Sequence, residues 1–90
     1  MKIPDGVRST HDQDGATLLD VRHGQMFRLN PVGSRILDLL ARGHDEPRIS
    51  QELSREFSIA REIVESDVRE FVLTLEKNRL LEHRRPNGEM

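Results

Sequence analysis

The sequence predicts a small α+β domain, a three-stranded antiparallel sheet followed by three helices, and three observations carry that reading. Residues 7–29 hold short apolar, partly β-branched runs separated by Gly-containing turns. Residues 30–81 instead carry apolar side chains at helical spacing. The change of period falls at Asn30-Pro31, an N-cap residue followed by a proline suited to the first helical position.

The elements follow in order. A first strand is expected over Val7 to His11, and Asp14-Gly15 then marks a hairpin turn. Ala16 to Val21 reads as a second strand. Arg22-His23-Gly24 makes another turn, and Gln25 to Leu29 a third strand. Val32, Ile36, Leu39 and Leu40 give the first helix its apolar face, and Gly43 supplies its left-handed stop. Asp45 is placed to cap a second helix with Ile49, Leu53 and Phe57 along one face. Ser58 is placed to cap the third and longest, whose stripe is Val64, Val68, Phe71, Val72 and Leu75. Leu80 and Leu81 close the domain. Residues 1–82 are thus expected to form one domain, with Ile36, Leu40, Ile49, Leu53 and Phe57 in its core. Met1 to Asp5 are expected to fray, and 83–90 to form a flexible charged tail.

Composition removes several functions. There is no Cys, so thiolate metal sites, disulfides and thiol nucleophiles are excluded. A formal net charge of −2 does not suit a general binder of nucleic acid or anionic membrane. No apolar run approaches the roughly 20 residues that span a bilayer. Met1 to Thr10 lacks the apolar core of a signal peptide, so a soluble, cytoplasmic protein is expected.

Catalysis finds no constellation either. His11, His23, His44 and His83 fall in turns, loop edges or the tail, read as solvated imidazoles, and no two share i, i+4 spacing. No Gly-x-Ser-x-Gly elbow and no phosphate-binding glycine loop is present. The serious rival is a winged-helix DNA-binding regulator. Its recognition helix would carry Arg61, Arg69, Lys77 and Arg79 against Glu62, Glu65, Asp67, Glu70 and Glu76. That is a poor phosphate-binding face, although phosphate contacts supply much of the affinity for DNA. A small sheet, by contrast, leaves edges with unpaired N–H and C=O groups. An added peptide strand would pair them.

Several stretches resemble the PqqD-like proteins, the recognition elements of ribosomally made, modified peptides (RiPPs). They are Gly15-Ala16-Thr17-Leu18-Leu19-Asp20, then Gly24-Gln25-Met26-Phe27-Arg28-Leu29-Asn30 with Gly33 and Ile36, then Asp67-Val68 with Phe71, Leu75 and Leu80-Leu81. The likeness spans about residues 7–82. It implies a winged helix-turn-helix-like fold that is non-catalytic and has no cofactor or metal of its own. A precursor's leader peptide would add to the sheet as a fourth, antiparallel strand, along the third strand and against the third helix. The leader would then carry its core peptide to a processing enzyme. The run Gly-x-x-Phe-x-Leu-Asn-Pro-Val-Gly looks most like the stand-alone recognition proteins of lasso-peptide biosynthesis, whose partners are a leader peptidase and a cyclase. The alternative branch is the peptide chaperone of a radical SAM enzyme in pyrroloquinoline quinone biosynthesis. Its members often carry a Trp near the end of the last helix, where this chain has Asn78-Arg79-Leu80-Leu81.

That resemblance implies a peptide-binding groove formed by Gln25, Met26, Phe27, Arg28 and Leu29 on the strand and by Val64, Asp67, Val68, Phe71 and Leu75 on the helix. Strand alternation puts Met26 and Arg28 on one face and Phe27 and Leu29 on the other. The helical stripe also has the spacing of core. Asp67 is a carboxylate within that stripe and needs a donor. A salt bridge to Arg28 or another Arg, or a contact with the leader, would supply it. The same free edge would also allow two protomers to pair as a homodimer.

Overall fold

The structure, a computed structural model, describes residues 2–82. The expected tail at 83–90, with His83, lies outside the described residues. Strands β1 (Val7–Asp12), β2 (Gly15–Asp20) and β3 (Gln25–Leu29) precede helices α1 (Pro31–Ala41), α2 (Glu46–Phe57) and α3 (Arg61–Lys77). The sheet is antiparallel in the order β1-β2-β3, so β2 is central and both outer strands have a free edge.

Register follows from the turns and from one buried face. Asp12 pairs with Gly15 across Gln13-Asp14, and the Asp12 carboxylate accepts the Asp14 N–H at 2.8 Å. On β2, Ala16, Leu18 and Asp20 point into the molecule, whereas Leu19 is exposed. A one-residue slip would turn Leu18 outward, so the register is held by burial. Leu29 pairs with Ala16, and Phe27 with Leu18, on the same inner face.

Helix α1 lies across β2 and β3, and α2 packs on α3 and α1. As expected, the Asn30 side chain caps α1, accepting the Gly33 N–H at 2.8 Å, and Asp45 caps α2 through Arg48. Gly43 takes φ +90° beyond the end of α1. The core joins Leu18 and Leu29 to Ile36, Leu40, Ile49, Leu53, Val68, Val72 and Leu80.

Three expectations are corrected. Ser58 does not cap α3: it is the left-handed C-cap of α2, φ 54°, and α3 starts after Ala60 with no side-chain cap. Phe57, in the last turn of α2, is 37% exposed and lines a small apolar cleft at the margin of the core beside Leu53 and Ile59. The segment before β1 is tied down from Lys2 onward. Lys2 and Glu82 exchange two backbone hydrogen bonds of 2.7 Å, tying the start of the domain to the residue after Leu81.

Candidate functional site

The expected strand, Gln25 to Leu29, is found at those bounds and at the open edge of the sheet. Its backbone groups can be sorted by direction. A Cβ on Gly15, at φ +139°, would overlap the Leu29 carbonyl oxygen, so that carbonyl points toward β2. In an antiparallel ladder, residues whose groups face the partner alternate with residues whose groups face away. Gln25, Phe27 and Leu29 therefore pair inward, and Met26 and Arg28 turn their N–H and C=O to the free edge. Side chains sort as expected. Met26 is 71% exposed on the outer face beside Leu19, whereas Phe27 and Leu29 pack against the core.

Beside this edge lies a groove of about 450 Å³ between β3, the start of α1 and α3. Leu29, Asn30, Val32 and Ile36 line one side of it, and Asp67 and Phe71 the other. Gly33 makes the close approach possible: a Cβ there would stand 3.1 Å from Phe71 Cε1. Of the helical residues expected at the site, Asp67 is exposed and Phe71 half-buried, and both face the groove. Val64, Val68 and Leu75 are placed in the core, the last two at 0% and 2% exposure. Their spacing tracks the buried side of α3, whose groove side is narrower than the apolar stripe suggested. Val64 and Val68 also line a small apolar cleft of about 50 Å³, shared with Val32, Phe57, Ile59 and Asp67.

Asp67 needs no donor where it sits, because it is exposed, and it makes no ion pair among the described residues. Arg28 does not reach it. The Arg28 guanidinium binds Asp12 through two contacts of 2.9 Å and donates to the Thr17 hydroxyl at 3.0 Å. This clamp crosses the outer face of the sheet and holds the Asp12 carboxyl below its ordinary range, chiefly through the Arg28 hydrogen bonds.

One cluster escaped the sequence reading. Asp20 is wholly buried at the end of β2. It accepts Arg22 Nε at 3.0 Å, the Arg22 N–H at 3.1 Å and a contact of 2.8 Å with His23 Nδ1. Arg22 also donates to the Arg79 carbonyl at 2.6 Å, joining the β2–β3 turn to the chain after α3. Hydrogen bonding to Arg22, then to His23, holds the Asp20 carboxyl well below the usual carboxylate range despite its burial. His23 is therefore a structural partner rather than an idle surface imidazole. The i, i+2, i+3 spacing was the available signal, but a strand end beside a turn usually reads as solvated.

Among the described residues, no group of three or more His, Asp or Glu could hold a metal ion. No described helix is long and apolar enough to cross a membrane. The basic side chains a recognition helix would need are partly consumed. Arg61 pairs with Glu65 and Arg69 with Glu46.

A family model described as coenzyme PQQ synthesis protein D (PqqD) matches residues 15–81. The chain belongs to the PqqD family. Solved structures agree with this PqqD-family assignment over nearly its whole length. TbiB1, in complex with the TbiA(beta) leader peptide, is 40% identical with a TM-score of 0.86, covering 96% of this chain and 100% of that one. Lasso peptide synthetase B1, complexed with its leader peptide, is 27% identical with a TM-score of 0.79, over 86% of this chain and 91% of that one. The third is the solution structure of the PqqD truncation of Methylobacterium extorquens PqqCD, a stand-alone RiPP recognition element. It is 25% identical with a TM-score of 0.76, over 91% of this chain and 87% of that one. No curated protein matches the sequence.

Proposed function

We propose that this PqqD-family domain binds the leader peptide of a lasso-peptide precursor as an added β-strand, and performs no chemistry itself. The observation that carries the reading is the free edge of β3, with Met26 and Arg28 turned outward beside a groove walled by Asp67 and Phe71. Main-chain hydrogen bonds supply affinity without demanding a particular sequence, and the flanking groove supplies selection. In this reading Gln25 to Leu29 form the ladder, Asp67 and Phe71 touch the peptide, and Val64, Val68 and Leu75 hold α3 in place behind them.

Residues 1–82 act as the recognition domain, in the cytoplasm, and deliver the bound precursor to a leader peptidase or other modifying enzyme. The lasso branch is favoured over the pyrroloquinoline quinone branch by the likeness to lasso peptide synthetase B1, with a TM-score of 0.79 against 0.76 for the Methylobacterium PqqD domain. The missing Trp points the same way. The acidic, ion-paired surface of α3 disfavours the DNA reading.

Titration of isotope-labelled protein with the TbiA(beta) leader peptide tests this. The amides of Met26 and Arg28 should shift most and gain protection from exchange, with smaller shifts at Asp67 and Phe71. Shifts confined to α2 would overturn the proposal.

A further inference from the structure

We propose that the peptide groove is electrically polar along its length, so that it favours a strand with a basic residue at its N-terminal end and an acidic residue at its C-terminal end. The inference rests on the added-strand reading and extends it from backbone pairing to peptide charge.

Helix α3 runs opposite to β3 along the free edge. Asp67 and Phe71, early in α3, line a cavity with Leu29, at the end of β3. Lys77 and Arg79, at and after the end of α3, line a second cavity with Gln25, at the start of β3. The lengths agree. Ten helical residues from Asp67 to Lys77 rise about 15 Å, and four strand steps from Gln25 to Leu29 span about 13 Å. One helix therefore flanks the whole edge and marks its two ends with opposite charge.

These charges are uncommitted. Asp67 and the side chains of Lys77 and Arg79 make no ion pair among the described residues. Arg28, which also lines the Asp67 cavity, is paired with Asp12, and Arg22 and His23 with Asp20. Neither Glu70 nor Glu76 lines either cavity. The ends lie farther apart than the Debye length of about 8 Å at physiological salt, so each reads its own end of the peptide. A strand antiparallel to β3 starts beside Leu29 and finishes beside Gln25. Its N-terminal end meets Asp67, and its C-terminal end meets Lys77 and Arg79.

The test uses the full chain and labelled TbiA(beta) leader peptide, in three forms: the parent, one with Lys before and Glu after the exchange-protected segment, and one with the two exchanged. Fluorescence anisotropy at low salt should show the Lys-first peptide binding about tenfold tighter than the Glu-first one, the sum of a few exposed pairs. High salt should erase the difference. The paired substitutions Asp67→Lys and Lys77→Glu, both at exposed helix positions, should invert it. Equal affinities for both charged forms, with the parent still bound, would overturn the polarity and leave the added strand standing. Failure of all three peptides to bind would overturn both.

Discussion

The two edges of the sheet are built from strands of nearly equal length, yet only one is suited to receive a peptide. On β1, Ser9 and His11 lie on the helix-facing side, opposite the buried Leu18 and Ala16, but both are exposed. Beside that strand the space is polar, lined by His11 with Pro31, Ser34, Arg35 and Asp38 of α1, so a peptide added there would find no apolar floor. On β3, the corresponding side chains, Phe27 and Leu29, are packed inward, and the edge runs into the groove walled by Asp67 and Phe71. A free ladder edge is therefore common to both strands, and what distinguishes β3 is the helix set beside it. Natural sheets blunt the edges they do not use with charge, and β1 carries Arg8, His11 and Asp12.

Proline scanning should break this comparison most sharply, because Pro removes one donor and leaves the rest of the strand. Phe27→Pro removes an N–H that pairs with β2, and should unfold the domain as judged by circular dichroism. Met26→Pro removes an N–H that faces the free edge. It should keep the helices and weaken leader binding by at least roughly tenfold, from about 1 kcal/mol of hydrogen bond plus the clash of the ring. Ser9→Pro, on the other edge, should keep both fold and binding. If Met26→Pro binds normally, the ladder is not on β3; if Ser9→Pro abolishes binding, the two edges have been confused.

Phe71→Ala should come next. The ring is half-buried against Gly33, so its loss should cost about 1–3 kcal/mol of stability, less than a fully buried Phe, and should also lower affinity. Leu73→Ala, on the exposed side of the same helix, should change neither beyond about 0.5 kcal/mol. Urea midpoints and anisotropy together check the pair. Equal losses of affinity in both variants would mean that the peptide does not meet α3 through Phe71.

The contrast between the edges was partly legible in the sequence. The three strands, the period change at Asn30-Pro31 and the bounds of β3 are local properties, written in turn residues, caps and alternation. The site's floor was harder to see. Asn30, Val32 and Gly33 read as a cap, a helical apolar residue and a packing glycine, and only the crossing of α1 beneath Phe71 makes them groove. Val64, Val68 and Leu75, all three buried, show the converse difficulty. Periodicity identifies the apolar side of α3, but not where neighbouring helices cease to cover it. Asp20 was invisible for a related reason, since a carboxylate at a strand end reads as exposed until Arg22 and the Arg79 carbonyl close over it.

Acid titration should sharpen the role of that latch at the closed end of β2 and β3. The folded-state pKa of Asp20 lies below its ordinary value of 3.8. Stability from this group is therefore fully present above that value and is lost as pH falls from there toward the folded pKa. Urea midpoints of the native chain should fall between pH 5 and pH 3, a range chosen to bracket the ordinary value. Asp20→Asn should be less stable at pH 7 and show a shallower fall. An equal slope in the two proteins would mean that other carboxylates, such as Asp12, govern the acid limb.

The smallest expected effect isolates the groove from the fold. Gly33→Ala adds one methyl group 3.1 Å from Phe71 Cε1, closer than an unstrained contact, and 3.4 Å from Asn30 Oδ1. Within a helix, Ala is favoured over Gly by up to about 1 kcal/mol, which offsets the crowding. The Phe71 ring lines the groove, so it can yield into that space. The urea midpoint should hence change little, while leader affinity falls a few-fold as the ring narrows the space beside Leu29. The two readouts separate the outcomes. A large loss of stability would place Phe71 in a rigid core with no freedom to move, and unchanged affinity would mean that the peptide runs along β3 without entering the space that Gly33 and Phe71 define.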